Sequence, residues 1–379
     1  MQANTPTHPD RSGIWVTEKI KFSLTEREKT NENKNGMRTN GHTTPSQGTS
    51  KKSLSPSFEE SRREIFSSFL KSNGWATWIF GKMLLGFFRL LSRLPLRLLY
   101  VISDFEYLII YRVLRYRRHI VRANLTGAFP EKPTEEIRHI ERKFYHWFCD
   151  YFFEAVKLLT ISDEELRRRF TISNSSDIVG CFREGQSVAA ILGHYCNWEW
   201  LSCVGIDLPS ATRAGLIYKP LRNRAFDALF RAIRSRVGGI PVPKNDILRY
   251  LIDYRRRGLM SIFGYISDQT PRWENIHLWV PFLHHDTPVF TGAERIMRKM
   301  NNAVYYVEMS RPHRGYYTCT YRLITKTPSA LPEHEITRRF FVLLEETIRK
   351  APQYYLWSHN RWKRTHEEYN ARKSRQVNE

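Results

Sequence analysis

No serine nucleophile elbow, no ligand-spaced His/Cys cluster and no charge-free apolar span of membrane-crossing length stands out in this sequence. Each absence excludes something. Without the elbow, an acyl-enzyme route through serine has no evident carrier. Pro281-Phe-Leu-His-His-Asp286 comes nearest to a metal motif. Two adjacent histidines do not face one centre from regular structure and no spaced partner follows, so no metal site is expected. The most apolar segment, Trp75 to Leu91, is interrupted by Lys82 and Arg89, whereas a crossing helix needs about 20 uninterrupted apolar residues. The five cysteines are odd in number and form no Cys-x-x-Cys, and no secretory leader is apparent. Reduced thiols in a cytosol-facing protein are therefore expected. Cys196 reads as a filler in a turn rather than a nucleophile, because no second base is evident for it.

Positive charge, by contrast, is abundant. Sixty Lys and Arg against 38 Asp and Glu leave a net charge of +22, and aromatics make up 13%. That balance points to an anionic partner, whether nucleic acid, lipid headgroups or an acidic protein. Residues 1–57, rich in Thr, Asn, Ser, Gly, Lys and Glu, show no apolar period. They are expected to form a disordered tail, without the acid-poor amphipathic pattern of a transit peptide. Over 58–122, membrane-associated helices are expected. Arg89, Arg93 and Arg97 recur every fourth residue, opposite Leu90, Leu91, Leu94 and Leu98, and Pro95 should kink or split the segment. Helices lying in the interface, with Arg among anionic headgroups, fit this pattern. A short tilted span, or an ordinary core helix, is the alternative. Residues 365–379 read as a basic solvated tail.

Residues 123–364 read as one α/β core. Ser187-Val-Ala-Ala-Ile-Leu192 is a short apolar run, expected as a buried strand. It ends at Gly193, and His194 follows where the strand exits. Asn197 can cap a short helix carrying Trp198 and Glu199. On one helix, residues five apart are separated by about 140°, so Glu199 meets His194 only if His194 precedes the helix. A carboxylate that holds an imidazole makes it an oriented base, and positioned general acid–base catalysis is worth about 10²–10⁴ in rate. A structural His beside an ordinary helix-start Glu would leave the same spacing. Ala214–Tyr218 and Leu259–Ile266 are further strands, and the latter delivers Asp268-Gln269 at its end. A helix between them, capped by Asn223, closes on Arg231, Arg234 and Arg236. Cations there suit the helix dipole. Alternatively, one or two of them neutralise phosphate or a developing oxyanion. Polar residues gathered at strand ends are the layout of a mainly parallel mixed sheet flanked by helices.

Gly193-His-Tyr-Cys-Asn-Trp-Glu199 resembles the signature of the bacterial lipid A biosynthesis acyltransferases, the late lauroyl/myristoyl type within the His-x4-Asp/Glu acyltransferases. The likeness spans about Trp75 to Arg364. It includes Asn124-Leu with Ala128-Phe-Pro130, Tyr218-Lys-Pro-Leu-Arg-Asn223, Asp268-Gln269, Val280-Pro-Phe282, Thr291-Gly-Ala293 and Pro352-Gln-Tyr-Tyr-Leu-Trp357 with His359, Arg361 and Lys363. Lys219 stands where the family often has Arg, and Trp362 where Phe is common.

The resemblance implies a membrane-bound α/β acyltransferase at the cytoplasmic face of the bacterial inner membrane. Its donor would be an acyl thioester, usually on acyl carrier protein, and its acceptor a hydroxyl of an anionic lipid A precursor, with no further cofactor. In that scheme His194 is the general base and Glu199 orients it. Arg234 or Arg236 would offset charge on the acceptor or intermediate, while Asn197, Trp198, Asp268 and Gln269 shape the site. Another lipid acceptor, such as a glycerolipid, aminolipid or mannosylated phosphoinositide, would fit the same motif. A nucleic-acid-binding protein would explain the charge, but the basic residues are spread through amphipathic segments and no RNP-type or zinc pattern appears, so no nucleic-acid partner is expected. A non-catalytic membrane adaptor would have no need of His194 and Glu199 in this setting.

Overall fold

The computed structural model describes residues 75–209 and 212–377. The tail expected over 1–57 lies outside the described residues.

Two apolar helices lead in, α1 (Trp75–Arg93) and α2 (Leu96–Tyr107). Proline, which has no amide hydrogen to give and clashes with the preceding turn, breaks the helix at Pro95. Arg97 therefore sits on a different helix from Arg89 and Arg93, and the single arginine face expected from the spacing is divided in two. A π-helical turn, Leu108–Val113, continues α2. Then come α3 (Arg118–Ala128) and the long α4 (Thr134–Lys157), which has Glu135 and Glu136 in its first turn and Lys157 in its last, both suited to the helix dipole. Along α4, Phe144 and Trp147 on one side and Phe153 on the opposite side are all buried, so the helix is enclosed on more than one face. Both α1 and α2 pack against α4, and α1 also packs on α7 (Arg224–Arg236).

The core is a seven-stranded mixed sheet flanked by helices. In chain order its strands and helices are α5 (Asp163–Arg169), β1 (Phe170–Ile172), α6 (Ser175–Arg183), β2 (Val188–Leu192), β3 (Thr212–Tyr218), α7, β4 (Ile240–Pro243), α8 (Ile247–Arg256) and β5 (Met260–Ile266). A hairpin of β6 (Leu278–Phe282) and β7 (His285–Val289) stands apart from the sheet. After α9 (Gly292–Met300), β8 (Ala303–His313) and β9 (Tyr316–Thr325) complete the sheet in the order β1-β9-β8-β2-β5-β3-β4. Five adjacent strands, β8, β2, β5, β3 and β4, run parallel, and only β9 and β1 oppose them. The central strand β2 is buried along its whole length, which is why it reads as a continuous apolar run rather than an alternating one. From β2 the chain crosses to one side to form β3, and from β5 it later crosses to the other to form β8. Such a reversal opens a crevice at the carboxyl ends of the central strands.

α10 (Glu335–Lys350) packs on the β2, β8 and β9 side of the sheet. Its Phe340, Leu344 and Ile348 are fully buried, and burial of such side chains contributes about 1.5–3 kcal/mol each. Residues 366–377, expected as solvated tail, form a further helix, α11 (His366–Val377). It is mostly exposed but anchored at one end, where the His366 ring stacks on Trp279 at 4.5 Å and its Nδ1 lies 2.6 Å from Asp286.

Candidate active site

His194 and Asp268 occupy matching places on neighbouring strands. The parallel register pairs Leu192 of β2 with Ile266 of β5, so the residues two beyond each pair leave the sheet side by side. Gly193 lets the chain turn there. A Cβ at this position would fall 2.7 Å from Leu344 Cδ1 of α10, so no other residue fits without displacing that buried side chain. The Asp268 carboxylate then holds His194 twice. Its Oδ1 lies 2.6 Å from the imidazole Nδ1, and its Oδ2 accepts from the His194 backbone amide at 3.0 Å.

Burial alone would push the Asp268 carboxyl up. The charge of His194, the hydrogen bonds from its ring and its backbone amide, and the more distant Arg361 outweigh that, and bring it down to about 2. Across ordinary assay pH it is an ionised acceptor. Nδ1 of His194 therefore carries the hydrogen of this bond and Nε2 is left with the lone pair. Nε2 faces outward, with the side-chain amide of Gln269 3.3 Å away. The ring is braced by Trp198, edge-on at 5.0 Å, and Trp198 in turn lies on Tyr151 of α4 at 4.2 Å.

The expected partner of His194 is engaged elsewhere. Glu199 is buried, and its two oxygens accept from Arg234 of α7, at 2.8 Å from Nε and 2.7 Å from Nη2. Tyr151 Oη sits 3.5 Å from the same carboxylate. In this structure, then, the carboxylate in contact with the His194 ring is Asp268, while the expected partner Glu199 is bound to Arg234. The physical reason lies in the loop: Cys196 takes a left-handed conformation (φ 51°), which carries the chain round so that Glu199 starts its 3-10 helix (Trp200–Asp207) facing α7. Arg234 is thus spoken for as a clamp on that helix. Arg236, two residues on and so about 200° further round α7, binds Asp163 and the Ile161 carbonyl instead. Each of the two guanidinium groups thus has a protein carboxylate as partner in this arrangement.

The cap position of the 3-10 helix is Glu199 rather than the expected Asn197, whose Oδ1 accepts from Trp200 N at 3.3 Å within the turn that leads into the helix. The Asn197 side chain is fully buried and its amide donates to Glu154 Oε2 at 2.8 Å, so it positions the loop rather than lining the crevice. Cys196 is also buried, and burial pushes its thiol well up, keeping it protonated.

One wall of the site comes from the far end of the chain. Leu356 N donates to His194 O at 3.1 Å, and Cys196 N donates to Tyr354 O at 2.9 Å. Asn124 of α3 then pins the continuation, its amide donating to the carbonyls of Trp357 at 2.8 Å and His359 at 2.9 Å. This explains why Asn124 and the Pro352–Lys363 stretch occur together in one motif set. His359 accepts from Thr270 N at 3.3 Å through Nε2.

Burial lowers the His359 imidazole to about 4, with Arg361, His194 and Lys363 adding to the effect and Asp268 opposing it. The unfolded chain takes up this proton near pH 6.5 and the folded chain only near 4, so stability falls as pH drops through that window. At about 1.36 kcal/mol per unit the loss approaches about 3 kcal/mol. Asp268 does not interfere, because its own contribution is lost only below about 3.8. His359→Gln, which keeps an acceptor for Thr270, should lose less stability than wild type between pH 6.5 and 4. Thermal melts across that range give the comparison, and equal pH slopes for the two proteins would contradict it.

Cations gather beside the crevice. Lys219, in the loop after β3, is pushed down by burial and by Lys244, Arg272 and Arg222 around it. Beyond them, the Arg364 and Arg372 guanidinium groups lie 5.0 and 4.6 Å from the Trp273 ring centre. Among the described residues no group of His, Cys, Asp and Glu is arranged to hold a metal ion.

Comparison with known sequences agrees on a single family. The sequence profile of the bacterial lipid A biosynthesis acyltransferases matches residues 65–364. Among curated proteins, the chain is similar to a lipid A biosynthesis palmitoleoyltransferase of Escherichia coli (strain K12). The two are 21% identical over 298 residues, covering 78% of this chain and 93% of the relative. A lipid A biosynthesis acyltransferase of Shigella flexneri is similar with the same identity and coverage.

Proposed function

This chain belongs to the bacterial lipid A biosynthesis acyltransferase family and is an O-acyltransferase; from that premise we propose that it moves a fatty acyl chain from acyl carrier protein to a hydroxyl of a lipid A precursor, with His194 as base and Asp268 as its orienting partner. The observation that carries the mechanism is the 2.6 Å contact between His194 Nδ1 and an ionised Asp268. It leaves Nε2 as the proton acceptor, in the crevice at the strand ends.

The acceptor hydroxyl takes the place of the Gln269 amide at Nε2 and gives up its proton there. Its oxygen attacks the thioester carbonyl, and a tetrahedral intermediate forms. As it collapses the C–S bond breaks, and the departing thiolate recovers the proton from Nε2. Asp268 remains ionised throughout and steadies the imidazolium between the two transfers. No acyl-enzyme is needed.

The cluster of Lys219, Arg222, Lys244 and Arg272 suits phosphate on the acceptor or an acidic carrier protein. The lead-in helices support docking at a membrane surface. Met83, Leu90, Val101, Phe105 and Val113 are each more than 60% exposed, and Arg89, Arg93 and Arg97 stand exposed among them. So large an apolar surface on α1, α2 and the π turn marks an interaction site, and interleaved Arg favours anionic headgroups. No described helix is long and apolar enough to cross a membrane.

The test is transfer of a labelled acyl group from acyl carrier protein to a tetra-acylated lipid A precursor by the detergent-solubilised protein. A glycerophospholipid and an aminolipid are offered alongside, and His194→Ala is run as the control. Transfer to the lipid A precursor that disappears in His194→Ala supports the proposal. Transfer only to another acceptor moves the pathway, and no transfer by folded protein overturns it.

A further inference from the structure

One buried carboxylate joins the loop that carries His194 to the apolar lead-in helices. Glu154 of α4 is fully buried. Its Oε2 accepts from the Asn197 amide at 2.8 Å and from the Tyr317 hydroxyl of β9 at 2.5 Å. Its Oε1 accepts from the Tyr100 hydroxyl of α2 at 3.0 Å, with Arg311 Nη2 of β8 3.5 Å away. The Glu154 backbone carbonyl accepts from the Trp200 indole at 2.8 Å. A carboxylate taken out of water is costly unless donors answer it. Two of these donors, Asn197 and Trp200, belong to the segment that follows His194.

Tyr100 is the other end of the link. Ser103 and Asp104, three and four residues on, share its face of α2. Ser103 donates to Asp150 of α4 at 2.8 Å, and Arg314 Nη2 lies 2.6 Å from an oxygen of both Asp104 and Asp150. Leu98, Val101 and Phe105 of the same helix are exposed, on the face read above as lipid-docking. The β8–β9 turn leaves room for the Tyr100 hydroxyl. Gly315 there takes a left-handed conformation (φ 77°), and a Cβ on it would collide with that oxygen.

We propose that Tyr100 and Glu154 are positioning residues for the His194 loop, passing to it the seat of the lipid-facing helix α2. One oxygen of Glu154 is held from α2 and the other holds Asn197, so a shift of α2 on α4 reaches the loop through one side chain. Partly satisfied buried networks are unstable, so a loosened α2 loosens the loop. The loop carries Trp198, which braces the His194 ring at 5.0 Å. That α2 faces lipid rests on the proposed function, whereas the link from α2 to the loop does not depend on it.

Amide exchange of the full chain in detergent, read by mass spectrometry, tests the link without turnover. Tyr100→Phe removes one hydroxyl on the far side of Glu154 and alters nothing in the loop itself. Exchange over residues 193–204 is expected to rise at least about fivefold, the lower end of coupling between separate sites, while α10 exchanges as in the wild type. A residue that merely seats α2 would speed exchange in that helix and leave 193–204 unchanged, and this result overturns the inference. Asn197→Ala should speed the same segment, and adding Tyr100→Phe to it should add little, since both act through Glu154. Effects that multiply would contradict the shared carboxylate. Should Asn197→Ala fail to fold, Tyr100→Phe decides alone.

On phosphatidylglycerol vesicles, Val101→Ser with Phe105→Ser should speed exchange over 193–204 when Tyr100 is present and not in the Tyr100→Phe background. An equal rise in both backgrounds would contradict the passage through Tyr100. Failure of the wild type to bind the vesicles counts against the membrane reading alone, and the detergent result still decides the link. Where transfer is measured, Tyr100→Phe should lower kcat while KM stays within about twofold, as expected when ground-state binding is untouched.

Discussion

Asp268→Asn should reduce kcat by about 10³–10⁴ while leaving the protein folded, the scale of loss found when an imidazole is left in the wrong tautomer. The new carboxamide would present either its oxygen or its NH₂ group to Nδ1. The backbone amide of His194, 3.0 Å from Oδ2 of the wild-type carboxylate, requires an acceptor at that place. The NH₂ group is thereby turned toward Nδ1, which must then accept, and the proton is forced onto Nε2. The nitrogen facing the crevice becomes a donor and ceases to be a base. Binding of the lipid acceptor should change little, since Asp268 is buried and does not line the mouth. Stopped-time transfer assays with a melting curve check both halves. A kcat within about tenfold of wild type would remove Asp268 from the mechanism.

Glu199→Ala should act through stability. It strips the bidentate partner from Arg234, whose side chain is only 15% exposed. Breaking a buried pair from one side typically costs about 3–5 kcal/mol because an uncompensated charge is left behind. The outcome expected is a lower midpoint of denaturation, with the 3-10 helix and Trp198 loosened against His194. Removing the pair as a unit, Glu199→Gln with Arg234→Met, should recover much of that loss, since no unanswered charge remains. Chemical denaturation of the single and double variants measures it. A double variant no more stable than Glu199→Ala would contradict the clamp.

Much of this site is legible in the sequence. The buried run at 187–192, the exit at Gly193 and the polar pair Asp268-Gln269 can each be read from residue type and period. So can the split at Pro95, because proline breaks a helix whatever surrounds it. The partner of His194 is harder. Nearness along the chain favours Glu199, while the true neighbour is 74 residues away and is set by strand register. A signal for it does exist. Leu192 and Ile266 each end an apolar strand, and each is followed at the second residue by a titratable side chain. Adjacent parallel strands would bring those residues together. What sequence cannot supply is which strands are adjacent, since β3 intervenes in the chain between β2 and β5 but not in the sheet. The roles of Arg234 and Arg236 are hidden for the same reason, as only the packed structure tells a clamp from a free cation. The closing helix α11 is missed because its residues are polar nearly all round, and its hold on Trp279 is a tertiary contact.

The central claim is that Asp268, not Glu199, serves the base. Single-turnover acyl transfer from acyl carrier protein, measured side by side in folded Asp268→Asn and in folded Glu199→Gln with Arg234→Met, tests it most directly. The predicted result is a fall of at least about 10³ in the first and a rate within about tenfold of wild type in the second. The reverse order, with Asp268→Asn active and the double variant dead, would contradict it.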